Sequence, residues 1–242
     1  KGWATTSNAT AVEYNIGDTY TPAKNITLYA VWAEAVASIN NTTYYETLEE
    51  AMDVAQSNDT VVVLKSITET TNLTVPEGKN ITLDTNGKTI TLNGVTFTNN
   101  GNLTISGSGT ITTSSAVDLI TNTGTLTITN TGTISNTNTG SYAAITNTGT
   151  VNKTGSGTIS SAGSGQTISG GNINVSSGTV STTGGKAIYT SDTYTINITG
   201  GTITSTYAEA VASEGGNVTI SGNNTVIQKS GTTSGACFVY SG

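Results

Sequence analysis

From about Asn72 onward, the apolar residues fall in short alternating runs, and the runs return in the same order. The first reads NITL at 80–83, then NLTI (102–105), TLTI (125–128), TVNK (150–153), NINV (172–175), TINI (195–198) and NVTI (217–220). A second reads KTI at 88–90, GTI at 109, 132 and 157, GTV at 178, GTI at 201 and NTV at 224. A third ends on Phe97, Ile120, Ile145, Ile168, Ile188 and Val211, then near Val239. Successive first runs begin 22, 23, 25, 22, 23 and 22 residues apart. Alternation marks half-buried strands, and Thr, Ile and Val favour them because a branched Cβ packs well on a pleated surface.

Three short strands per period, separated by Gly, Asn and Ser, predict a β-solenoid. One coil cannot bury its apolar face alone, but stacked coils share a continuous core. A leucine-rich repeat has a similar period but needs a Leu-dominated frame, which this chain lacks. The expectation is an all-β protein whose residues 72–242 form a right-handed parallel β-helix of about seven coils. At a strand spacing of about 4.8 Å such a rod is roughly 34 Å long. One run departs from the pattern: in TVNKT, Lys153 stands where Ile or Val is expected. That coil should be locally weakened, or should turn Lys153 outward.

The upstream pattern differs. In residues 1–33, alternation over 26–28 and 29–31 predicts a strand ending on Trp32, after a turn at Gly17-Asp18. Residues 34–71 read as a helix followed by a strand. Thr47 suits an N-cap, Glu50 three residues later completes a capping box, and Glu49 and Glu50 favour the helix dipole. Leu48, Ala51, Met52 and Ala55 form one apolar stripe, Asn58-Asp59 a turn, and 61–64 a continuous apolar strand. An open coil edge invites aggregation, so this helix is expected to cap the N-terminal end of the solenoid.

Composition narrows the function classes. The balance is acidic, with 15 carboxylates against 8 basic residues, and all eight are Lys. Nucleic-acid binding needs a basic patch to displace counterions and is disfavoured. The lack of Arg also removes the forked donor used for sugar carboxylates and phosphates. A single Cys237 excludes a disulfide within the chain and argues against a structural zinc site. No apolar run approaches the roughly 20 residues of a membrane span. Eight of the fifteen carboxylates lie from Glu34 to Glu77, and they read as a solvated helix face rather than a cation site. No metal and no cofactor is implied.

Gly2-Trp3, Tyr14, Gly17, Tyr20-Thr21 and the segment ITLYAVW resemble the Listeria–Bacteroides repeat, or internalin B-type repeat, over the later half of a typical repeat. That family consists of small extracellular β modules in bacterial surface proteins. The resemblance implies an extracellular, cell-surface location and a fragment of a longer chain, expected to be monomeric. The pattern TYYETLEEAMDVA, NDTVVVLK, NLTVPEGKNITLDTNGKTI resembles the start of β-helical surface proteins of the pectate-lyase-like superfold. That fold hosts lyases with clustered Asp calcium ligands and a basic residue, commonly Arg, and hydrolases using several Asp, a His and a basic pair.

The repeat register bears on that chemistry. Glycoside hydrolysis generally needs two carboxyl groups about 5–10 Å apart. Between Glu77 and Glu209 the chain has only Asp84, Asp118 and Asp192, on different runs or distant coils, and it has neither His nor Arg. No catalytic residue is assigned. Lys186 and Glu209 precede Ile188 and Val211 by two residues each, so they are expected to stack as a stabilising surface ion pair.

The outward positions of the first run, among them Asn102, Thr104, Ser106, Thr125, Thr127 and Thr129, make a face of hydroxyls and amides. An ice-binding plane is one use of such a Thr ladder, but Asn and Ser interrupt it. Sugar sites combine polar groups with an aromatic platform, and Tyr189, Tyr194 and Tyr207 are the candidate ligand-binding patch. The function expected is a non-catalytic adhesin-like or stalk module whose partners are host or microbial glycans or proteins.

Overall fold

The computed structural model describes residues 1–21, 24–191, 193–231 and 235–240. The chain divides into two compact units, Lys1–Ala35 and Val36–Gly242.

The first unit is a three-stranded antiparallel sheet of β1 (Gly2–Ala4), β2 (Tyr14–Asn15) and β3 (Tyr29–Val31), with β1 in the centre. Gly2 and Ala4 are buried while Trp3 between them is exposed, the period-two alternation of a strand with one covered face. Gly17 has φ +92°, and Asp18 closes the turn by accepting from the Asn15 amide at 2.7 Å.

The second unit is a parallel β-solenoid of about eight coils with one short helix. It opens on an antiparallel hairpin, β4 (Ala37–Ile39) and β5 (Thr43–Tyr45), and on α1 (Leu48–Val54). The Thr47 hydroxyl accepts from the Glu50 amide at 3.1 Å, satisfying one of the helix's free N–H groups. Leu48, Ala51, Met52 and Ala55 are buried and join the core of the first coil, as the apolar stripe predicts. The turn at Asn58-Asp59 forms with Asn58 at φ 76°, and the Asp59 carboxylate accepts from the Gln56 amide and the Asn40 side chain. Those two hydrogen bonds, the Gln56 amide first, hold its carboxyl below the usual range.

The first coil comprises β6 (Thr60–Val63), β7 (Ile67–Glu69) and β8 (Leu73–Val75). It raises the count from the seven expected to eight, because β6 and β7 precede the repeated runs that begin at about Asn72. Strands of each run then stack in parallel into three sheets, one per face. The hairpin strand β4 pairs antiparallel with β6 and extends the first sheet past coil one.

Register is held side chain on side chain. Ile81, Leu103, Leu126, Val151, Ile173 and Ile196 form one column. Ile90, Ile111, Ile134, Ile159, Val180 and Ile203 form a second, and Leu73, Phe97, Ile120, Ile145, Ile168, Ile188 and Val211 a third. All are buried. In the last coil the residue in register with Val211 is Cys237, not Val239 as the apolar pattern suggests. The core loosens there: Ile220, in register with Ile198, is 44% exposed, where Ile198 is fully buried.

Of the two alternatives for Lys153, a locally weakened coil or an outward turn, the second is excluded. The residue is in register with Ile128 below and Val175 above, and it is fully buried. The strand keeps its alternation, and Nζ runs beyond the strand end to donate to the Gly155 carbonyl. Room for it comes from Gly178, φ +76°, where an added Cβ would lie 2.5 Å from Nζ.

Candidate functional site

Inside the solenoid, the third strands end on polar residues that face inward. Asn99, Asn122 and Asn147 are stacked in register and buried. Asn99 Nδ2 donates to Asn122 Oδ1 at 2.6 Å, Asn122 Nδ2 to Asn147 Oδ1 at 2.7 Å, and Asn147 Nδ2 to the Gly170 carbonyl at 2.9 Å. Each coil thus supplies the next with the partner that burial demands. Above Asn147 the chain turns through Gly171, φ +63°, where a Cβ would stand 2.0 Å from the amide nitrogen. Below Asn99 the register position is Val75, which has no donor, and Asn99 Oδ1 has no partner among the described residues. The ladder therefore has a direction and a beginning. Sequence reading missed it, although FTN, ITN and ITN recur at 97–99, 120–122 and 145–147.

The corner between the first and second sheets is less well served. Asn130 is buried, and neither its side-chain nitrogen nor its oxygen has a partner among the described residues. Gly155 stacks so closely on it that a Cβ there would be 2.3 Å from the Asn130 carbonyl. Burial of Lys153 in the following coil lowers its pKa to about 8.

Tyr189, Tyr194 and Tyr207 occupy three different local settings around the third sheet. Tyr207, 65% exposed, lies in the turn that leads into the third sheet. Tyr189 is in the strand Ile188–Ser191, and half-buried Tyr194 lies in the turn that leaves that sheet. Tyr189 has local partners: its hydroxyl donates to Glu214 Oε2 at 3.1 Å, and Lys186 Nζ sits 4.6 Å from its ring centroid. Lys186 Nζ is also 3.7 Å from Glu214 Oε1. Lys186 and Glu209 are half-buried, which resolves the conflict between strict alternation and the cost of burying charge.

The outward face of the first sheet carries a depression of about 180 Å³ lined by Asn152, Thr154, Asn174, Val175, Ser176, Asn197 and Thr199. Asn152, Asn174 and Asn197 are in register, and Asn174 Nδ2 donates to Asn152 Oδ1 at 2.9 Å. A second depression, about 200 Å³, lies by α1 between Val36, Glu46, Thr47, Ile67, Thr68 and Glu69. Desolvation there, with help from the charge of Glu49, raises the Glu69 carboxyl above its ordinary range.

The rod carboxylates serve the backbone. Asp84 Oδ1 accepts from the Asn86 amide at 2.8 Å. Asp118 Oδ1 accepts from the Ala143 amide at 2.8 Å and its Oδ2 from the Thr146 hydroxyl at 2.7 Å, tying its coil to the next. Asp192 lies outside the described residues. Among the described residues no three His, Cys, Asp or Glu form a group that could hold a metal, and no helix is long and apolar enough to cross a membrane. Comparison with known protein families, curated proteins and solved structures yields no match.

Proposed function

We propose that this chain is a non-catalytic module of a bacterial cell-surface protein, a stalk that also presents a binding surface to host or microbial glycans or proteins. The use of Asp118 carries the reading. A hydrolase or lyase needs carboxylates free to meet substrate, whereas both oxygens of Asp118 accept hydrogen bonds from the next coil. Asp84 is likewise committed to its own turn. The outward amide and hydroxyl columns, with the depression around Asn174, supply the many weak polar donors and acceptors that suit an extended ligand. The resemblances of 1–33 to internalin B-type repeats and of the solenoid to pectate-lyase-like surface proteins support the extracellular location.

The test is binding of the purified chain to an array of glycans and host-matrix proteins, with the Tyr189→Ala, Tyr207→Ala double variant beside it. Saturable binding supports the adhesin-like reading, and its loss in the variant places the contact on the third sheet. Lack of binding throughout leaves the chain as a passive stalk and removes the adhesive half of the proposal.

A further inference from the structure

The first unit carries an aromatic surface that the solenoid does not. Trp3 on β1 and Tyr14 on β2 are cross-strand partners and so share one face of the sheet. Tyr20 packs on Tyr14 with ring centroids 4.6 Å apart and planes tilted by 57°. On the other side of Trp3, the residue in register is Ala30, too small to cover the indole. Trp3 remains 43% exposed as a result. The opposite face explains why the rings are turned this way. Gly2 admits the chain so closely that a Cβ would lie 2.4 Å from the Tyr14 carbonyl, and Gly2 and Ala4 are buried with Val31. Gly2, Ala4 and Val31 lie on the covered face, with the partly exposed Tyr29 in register with Ala4 on that same face, and Trp3 and Tyr14 lie on the other.

We propose that Trp3, Tyr14 and Tyr20 form a stacking platform for the pyranose rings of a neutral oligosaccharide. The inference rests on the adhesive reading above and gives it a place and a ligand class. Three considerations select this occupant. Aromatic faces attract the C–H groups of a sugar ring, while phenol hydroxyls serve its oxygens. The strip rises from strand to strand at roughly 5 Å, close to the length of one pyranose unit. The unit also has almost no net charge: Lys1 and Lys24 against Glu13, Asp18 and Glu34 leave −1. A polyanion finds no basic patch here. Glu13 Oε2 accepts from the Thr5 amide at 3.1 Å and from the Thr5 hydroxyl at 2.8 Å.

The experiment titrates the full chain with cellohexaose, xylohexaose and mannohexaose, following tryptophan fluorescence and retention in affinity electrophoresis. Wild type should bind at least one of them, and Trp3→Ala and Tyr14→Leu should each weaken binding roughly five- to tenfold. Trp3→Tyr keeps a ring and should stay within about threefold of wild type, so a Trp3→Ala loss that Trp3→Tyr does not share is a loss of the platform and not of the fold. Binding unchanged in Trp3→Ala but lost in the Tyr189→Ala, Tyr207→Ala variant overturns the platform and leaves the adhesive reading standing. No binding of any hexasaccharide by wild type overturns the platform, as does displacement of a bound sugar by millimolar tetramethylammonium.

Discussion

Asn147 and Lys153 are inward-facing ends of successive strands in one core, and the core treats them differently. The side-chain amide of Asn147 accepts a hydrogen bond from Asn122 and donates one to the Gly170 carbonyl, so the free energy lost with water is returned by coils above and below. Among the described residues the ammonium of Lys153 donates to the Gly155 carbonyl, and its corner also holds an asparagine whose side chain has no partner. The difference lies in repetition. A buried amide is both donor and acceptor, so a column of identical residues satisfies itself at the strand spacing. A lysine has three donors and no acceptor, and a column of lysines would repel, so it enters the core once and at a cost. Stacked solenoids accept polar residues inside when each can serve its own copy in the next coil.

The comparison can be broken at several points. Asn122→Ala removes the middle rung, taking a donor from Asn147 and an acceptor from Asn99, and leaves a small cavity. It should cost about 2–4 kcal/mol in a guanidinium melt. Lys153→Met should act in the opposite direction, raising stability at pH 7 by about 1–3 kcal/mol, since an apolar side chain then fills a site flanked by Ile128 and Val175. If Lys153→Met lowers the melting temperature as Asn122→Ala does, the contrast fails.

The gain from Lys153→Met should depend on pH in a defined way. The folded pKa, about 8, lies below the value of 10.5 for a free lysine, so folding disfavours the charged form. Between these values the unfolded chain binds the extra proton, and wild-type stability rises with pH. The penalty is therefore complete below about pH 8 and relieved as pH approaches 10.5, and the gap between wild type and variant should narrow over that window. A gap that stays constant would mean that Lys153 is charged in the fold at pH 10. The smallest effect is expected at the start of the ladder. Val75→Thr offers a hydroxyl to the orphaned Asn99 Oδ1 and should be about 1 kcal/mol less damaging than Val63→Thr, at an ordinary core position of the same coil.

The columns were legible because their residues obey two rules at once, alternation and apolarity, in every coil. Asn122 and Lys153 obey only the first. Counting by twos from Ile120 and Val151 places both inside, but polarity argued for the surface. The two rules left Lys153 between a weakened coil and an outward turn, and Asn122 went unweighed, although the partner that makes it safe is visible a period away at Asn147. Coil one was missed for a different reason: its strand over 61–64 was legible, but β6 and β7 lie before the repeated runs that begin at about Asn72. For the tyrosines only Tyr189 has a strand register to read, since Tyr194 and Tyr207 lie in the segments that flank the third-sheet strands. The aromatic strip of the first unit was present in the sequence as Trp3, Tyr14 and Tyr20, and only the pairing of β1 with β2 put them on one face.

The proposal under test is that the solenoid holds and presents but does no chemistry. The most direct measurement is product release from polygalacturonan, cellulose and xylan incubated for a day with the purified chain, with reducing ends and unsaturated products read against heat-denatured protein. The account predicts release equal to the denatured control at every protein concentration. Release that grows with time and in proportion to intact protein would contradict it, and would show that a carboxylate held in the structural hydrogen bonds described above is free to act.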